Sequence, residues 1–246
     1  MKDMKYALAV IILGILFWML QFVYQYSSLA GDSLTVVVRS AAFTTATLIG
    51  IALIVGPLAQ LFPRFNYIRH RRAFGVLGFT FTIVHVTTVL LYYGFGLLTN
   101  ANPYSNPLIF GLLAFILYIP LYATSTGWAM RKLTYGRWKA IHRLVYLAFI
   151  LTVLHYAMTN PAVLLSVPGY ILMLVTIFVF GSELAAFSRH RKTSRAKAFA
   201  AFLISLAAVL FYFSGSQVLL YISIGSLIVF VLMLAASRKP KQETGE

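Results

Sequence analysis

The chain has 246 residues, 61% of them hydrophobic and 10% charged, with a mean hydropathy of +0.86, far from the roughly 45–50% apolar and 25% charged make-up of an average soluble domain. Twenty Lys and Arg against five Asp and Glu leave a net charge of +15, which would suggest a nucleic-acid partner in a soluble protein and the positive-inside rule in a membrane protein. Cysteine is absent, which excludes disulfides, thiolate metal sites, iron–sulfur clusters, thiol catalysis and covalently attached c-type haem, and leaves histidine as the main candidate ligand.

A membrane-spanning helix needs about 20 predominantly apolar residues. Eight such runs follow one another: Tyr6 to Tyr26, Val36 to Phe62, Ala73 to Tyr93, Pro107 to Trp128, Ala140 to Thr159, Ala162 to Phe187, Ala198 to Phe213 and Gln217 to Ala236. The last two are separated only by Ser214, Gly215 and Ser216. The first run, preceded by Lys2 and Lys5 and followed by the small-x-small triplet Ser28-Leu29-Ala30, is longer than the 7–15 residues of a signal-peptide core and reads as a retained helix. The expected fold is an all-α integral membrane protein, a bundle of about eight transmembrane helices. Residues 1–187 form the main transmembrane unit, 188–237 an added two-helix hairpin and 238–246 a polar tail.

The connecting segments alternate in character. Lys2 and Lys5, the group from Arg64 to Arg72, the group from Arg131 to Arg143, the group from Arg189 to Lys197 and the closing Arg238, Lys239 and Lys241 all fall on one side, leaving only Arg39 for the other, a division of 19 to 1 among the 20 basic residues. Both termini are therefore expected in the cytoplasm, of a multi-pass protein of a bacterial inner or plasma membrane. The basic residues are spread over separate loop positions as topology requires and are not interleaved with aromatics in a recognition motif, which argues against nucleic acid.

Ionisable residues inside membrane helices are costly and are functional candidates by default. His85 stands in the third run, 13 residues past Arg72, and His155 in the fifth, 12 past Arg143. Both runs enter from the same side, so at a rise of 1.5 Å per residue both imidazoles reach a depth of about 20 Å, beyond the midplane. Two histidines at equal depth can be axial ligands of a b-type haem with no open iron position, suited to electron transfer, or can hydrogen-bond neighbouring helices and do no more. Zinc lacks the remaining ligands. His142 precedes His155 by 13 residues, about 20 Å closer to the cytoplasm and, at 100° per residue, on another face of the helix. Its site could hold a second haem, a flavin or a quinone headgroup. His70 and His190 stand in basic loops, where each can be one more solvated polar residue, the reading preferred for His190, and Glu183, the one acidic residue in a predicted span, reads as a partner for Arg189.

The stretch from Ala123 to Tyr156 carries Thr124-Ser125-Thr126 before a basic loop, Arg137-Trp138 before His142, the pattern H-x-x-V-Y-L, and His155 followed by Tyr156. Further upstream stand Gly56-Pro57-Leu58-Ala59, then Arg71-Arg72, Gly75 and the His85 helix. Together these resemble the ferric-reductase-like membrane haem proteins, in particular the MsrQ-type membrane haem subunits, over roughly residues 40 to 160. The resemblance implies a haem b, with His85, His142 and His155 at the family's ligand positions. It also implies electrons taken from a cytoplasmic flavin reductase and passed to an outer-side redox partner. Two-haem relatives place a histidine where Arg71 stands here, with His70 one residue displaced, so one haem is expected and a second is open. The two extra helices depart from the family pattern. Only a short polar tail follows Ala236, so the chain is expected to be the haem subunit of an oxidoreductase system that depends on a separate NAD(P)H-oxidising protein. Arg69, Arg71, Arg72, Arg131, Lys132, Arg137 and Lys139 could attract an acidic partner, a flavin phosphate or haem propionates, or serve topology and anionic lipid. Tyr92, Trp128, Trp138, Tyr146 and Tyr156 could flank an electron path or form aromatic belts. The competing expectation is a transporter or channel whose histidines line a proton or substrate route without haem.

Overall fold

The computed structural model describes residues 2–28, 32–62, 70–94, 107–159 and 164–190. Seven helices and no strands occur among them: α1 Lys2–Ser28, α2 Ser33–Leu61, α3 Arg71–Tyr93, α4 Leu108–Ala123, α5 Gly127–Lys132, α6 Tyr135–Thr159 and α7 Val167–His190. By length and composition α1, α2, α3 and α6 can cross a membrane, while Leu108–Ala123 and Val167–Glu183 are shorter apolar helices. The seventh and eighth predicted spans lie outside the described residues.

The helix ends follow local chemistry. Asp32 opens α2 in extended conformation, and its carboxylate accepts hydrogen bonds from Thr35 and from the Tyr92 hydroxyl at the far end of α3. The Thr35 hydroxyl holds the Asp32 carboxyl below the usual carboxylate range. Gly94 closes α3 with a φ of +68°, a conformation that costs glycine nothing, and donates its N–H to Leu90 O.

The fourth predicted span, Pro107 to Trp128, is broken in two. Pro120 lacks the N–H that would continue the hydrogen-bond ladder, and the hydroxyls of Thr124 and Ser125 turn back to the carbonyls of Pro120 and Leu121, both at 2.7 Å. Those bonds satisfy the helix end and stop it. Thr126 then caps α5 by accepting from Ala129 N at 3.2 Å. The α6 helix begins at Tyr135, ahead of the apolar run, because Arg137 and Lys139 are good helix formers that leave the hydrocarbon without ending the helix. The α7 helix begins at Val167, later than the apolar run, with Ser166 ahead of it and Pro168 in its first turn.

The α2 helix is the hub. It packs against α1, α3 and α7, while α4 lies along α6 and the two sets meet through α2 with α6 and α3 with α4. Its small residues Ala41, Ala46, Gly50 and Ala52 let neighbours approach closely, and packing of this kind holds helices together where lipid removes the hydrophobic drive between them. The core joins Phe43, Ile49 and Leu53 of α2 to Phe149 and Val153 of α6 and to Leu172, Val179 and Phe180 of α7. By contrast, α1 exposes Leu8, Leu13, Leu16, Leu20 and Val23, the surface of a helix facing lipid.

Candidate functional site

His85 stands in α3 and His155 in α6, and the fold brings them together, with ring centres 6.3 Å apart and planes inclined at 65°. Each ring is anchored from behind. His85 Nδ1 lies 3.0 Å from the carbonyl oxygen of Val38 in α2, and His155 Nδ1 lies 3.0 Å from the carbonyl oxygen of Pro107 just ahead of α4. A carbonyl can only accept, so both bonds put the proton on Nδ1 and leave Nε2 as a bare lone pair. Neither Nε2 has a hydrogen-bond partner among the described residues.

This arrangement is the one that metal-binding histidines use, with the far nitrogen fixed by a backbone carbonyl. A metal–imidazole bond of about 2.0–2.1 Å sets two trans nitrogens about 4 Å apart and their ring centres about 6 Å apart. The observed 6.3 Å is compatible with that spacing, and His85 and His155 are the residues that would hold a metal-centred group between them. Among the described residues no group of three or more His, Asp or Glu could hold an ion.

His142 is held elsewhere. Its ring stacks on Trp138 at 4.2 Å, and its Nε2 lies 3.1 Å from Thr124 Oγ1. Since the Thr124 hydroxyl gives its one proton to Pro120 O, His142 donates through Nε2–H and its Nδ1 is the open nitrogen. The Trp138 Nε1 beside it is buried without a partner among the described residues.

Arg71 turns inward at the start of α3. Its guanidinium lies over Gly56 of α2, where a built Cβ would stand 2.8 Å from Arg71 Nη1. The Arg71 charge acts on His142, Tyr146 and Glu183. Arg72 is exposed. Glu183 accepts the Tyr146 hydroxyl, a tie between α6 and α7 that the sequence did not suggest. Its expected partner Arg189 and His190 have side chains outside the described residues. Replacing Tyr146 with Phe leaves the Glu183 carboxyl without this donor and should cost about 1–2 kcal/mol. Thermal melting in detergent should show that loss, and a smaller one for Glu183→Gln, which keeps an acceptor.

Other predicted aromatics divide. Trp128 and Tyr92 are exposed, Tyr92 bonded to Asp32. Tyr156 is half-buried near the Arg39 charge. His70 is not merely solvated, because its ring meets Tyr6 of α1 edge-on at 5.0 Å.

Sequence reasoning missed several contributors. The carbonyls of Val38 and Pro107 carry no residue-type signal at all. Phe79 stacks on Phe115 at 6.2 Å and on Tyr122 at 4.5 Å, giving α3 and α4 a shared aromatic face that spacing within one helix cannot reveal. Tyr118 is buried and hydrogen-bonds Thr152 at 3.0 Å, tying α4 to α6. Arg39, adjacent to Val38, was flagged only as the lone basic residue of its side.

Residues 40–153 match the family described as the ferric reductase like transmembrane component. Three relatives are heme-binding subunits, named MsrQ, of the protein-methionine-sulfoxide reductase. That of Agrobacterium fabrum is 31% identical over 154 residues, covering 60% of this chain and 69% of the relative. That of Rhizobium meliloti is 32% identical over 147 residues, 58% of this chain and 67% of the relative. That of Brucella ovis is 34% identical over 112 residues, 44% of this chain and 50% of the relative. No solved structure matches the chain.

Proposed function

The chain belongs to the ferric-reductase-like transmembrane family, alongside the MsrQ heme-binding subunits, and we propose that it carries electrons across a bacterial inner membrane through a b-type haem between His85 and His155. The observation that supports this reading is the histidine pair itself, two imidazoles at ligand spacing with both Nδ1 atoms tied to backbone carbonyls. Haem held by two imidazoles supplies a one-electron carrier with no open coordination position.

The chain's own residues do the rest. The Val38 and Pro107 carbonyls orient the rings and make them more basic. Arg39 would pair with the carboxylates of the haem. It makes no hydrogen bond or ion pair among the described residues, and Asp32, the acidic residue nearest to it in sequence, is taken by Thr35 and Tyr92. A guanidinium without an ion-pair partner among the described residues favours an anionic one.

The direction of transfer follows from sidedness. With both termini cytoplasmic by the 19 to 1 division of basic residues, the histidine pair lies nearer the outer surface, from which an outer redox partner would take electrons. Arg72, Arg131, Lys132, Arg137 and Lys139 are exposed at the opposite end and would draw an acidic flavin reductase electrostatically. At that end His142 and Arg71 are the residues that would hold a second haem, a flavin or a quinone headgroup.

The deciding experiment is a reduced-minus-oxidised spectrum of purified protein with haem quantified per polypeptide. The expected result is a low-spin, bis-histidine b-type spectrum at one haem per chain. Two haems would place the second at His142, and colourless protein after expression with ample haem, with substrate flux in vesicles, would establish the transporter reading in its place.

A further inference from the structure

The His155 ring rests against the backbone of α4. A Cβ built on Gly111 would lie 3.0 Å from both Cε1 and Nδ1 of His155 and 3.1 Å from its Cγ, so every side chain larger than hydrogen meets the flat of the imidazole. One turn earlier on the same helix, the Pro107 carbonyl receives the Nδ1–H at 3.0 Å. Pro107 has its φ fixed near −61° and also accepts the N–H of Phe110, so the direction of that carbonyl is set by the helix start. Wall and acceptor thus act on the same ring from the same turn.

Other glycines do not share this property. Gly75 in α3 and Gly136 in α6 have nothing within 4 Å of a built Cβ, and Gly50 and Gly78 make room for aliphatic side chains. Gly111 alone among these faces an imidazole. Within a helix glycine is less favourable than alanine, a local penalty that closer packing of the ring would offset.

We propose that the Pro107–Gly111 turn is a positioning element for His155, with Gly111 admitting the ring to the Pro107 carbonyl and so setting the ligand's orientation and electron richness. The inference rests on reading His85 and His155 as axial ligands. A strong Nδ1–H···O bond makes the imidazole a better donor and favours the oxidised iron. A methyl group at position 111 has to displace the ring by a few tenths of an ångström, which lengthens that bond and turns the ring plane. The sign follows: Gly111→Ala should raise the midpoint potential.

The test compares full-length wild type, Gly111→Ala and Gly75→Ala, purified in detergent. It reads haem per polypeptide, midpoint potential by redox titration, and the low-spin electron paramagnetic resonance signal, which reports the relative orientation of the two imidazole planes. The expected result is a higher potential and an altered low-spin signal in Gly111→Ala, or loss of haem from a still helical protein, with Gly75→Ala unchanged from wild type. A Gly111→Ala protein identical to wild type in potential and signal overturns the proposal while leaving the haem reading intact. Wild type without a bis-histidine signal overturns the haem reading itself. If Gly111→Ala does not accumulate as folded protein, Pro107→Ala keeps the carbonyl but frees the turn that aims it, and an unchanged signal there overturns the proposal equally.

Discussion

Replacing either His85 or His155 with alanine should strip the haem from the protein, with affinity falling by more than about 100-fold, the upper end of what losing a group that only orients a ligand costs. The reason lies in how few contacts can substitute. Each imidazole is fixed by a carbonyl from a different helix, Val38 for His85 and Pro107 for His155, and among the described residues no third His, Asp or Glu stands with them to take over. His142 cannot replace His155, because it lies 13 residues earlier on α6 with its Nε2 committed to Thr124. A His142→Ala protein should therefore retain the spectrum of the His85–His155 pair. Pyridine haemochrome assay per polypeptide checks this, with helical content followed in parallel. Full haem retention in both the His85 and the His155 variant would sink the ligand assignment.

The second large effect should come from Gly78→Leu. Gly78 of α3 lies so close to α2 that a Cβ would stand 2.7 Å from Ile49 Cγ1 and 3.3 Å from the Ile49 backbone nitrogen. The Ile49 side chain can rotate away, but backbone cannot. At the same place the Gly78 carbonyl accepts the hydroxyls of Thr45 at 3.3 Å and of Thr82 at 3.1 Å. A bulky residue there pushes α3 off α2 and costs about 1–3 kcal/mol by overpacking. It also draws His85 away from the Val38 carbonyl, since those two residues stand on the same two helices. Lower melting temperature and reduced haem content should appear together. Gly75→Leu, on the same helix but facing open space, is the control and should change neither.

Much of this architecture was written in local terms. Six of the eight predicted spans coincide with described helices, because hydropathy sums over neighbouring residues and needs no knowledge of the fold. The broken fourth span was only half legible. Pro120 breaks the backbone ladder in any helix, but the hydroxyls of Thr124 and Ser125 that terminate this one compete with the ladder through bonds that composition does not rank. The inward turn of Arg71 was hidden for a similar reason. Its neighbour Arg72 is exposed, and Arg71 lies against Gly56, a residue of another helix that local sequence does not reveal.

What the sequence determined by itself was therefore how far along its helix each histidine stands. Rise per residue is a property of the helix alone, so His85 and His155 could be set at one depth and His142 apart from them. What only the tertiary structure decided was azimuth, the direction in which each ring faces. That depends on which helices pack together and how closely, and the carbonyls that orient the pair come from 47 and 48 residues away in the chain. A backbone acceptor looks the same in every sequence, and it becomes specific only when a neighbouring helix carries it to the imidazole.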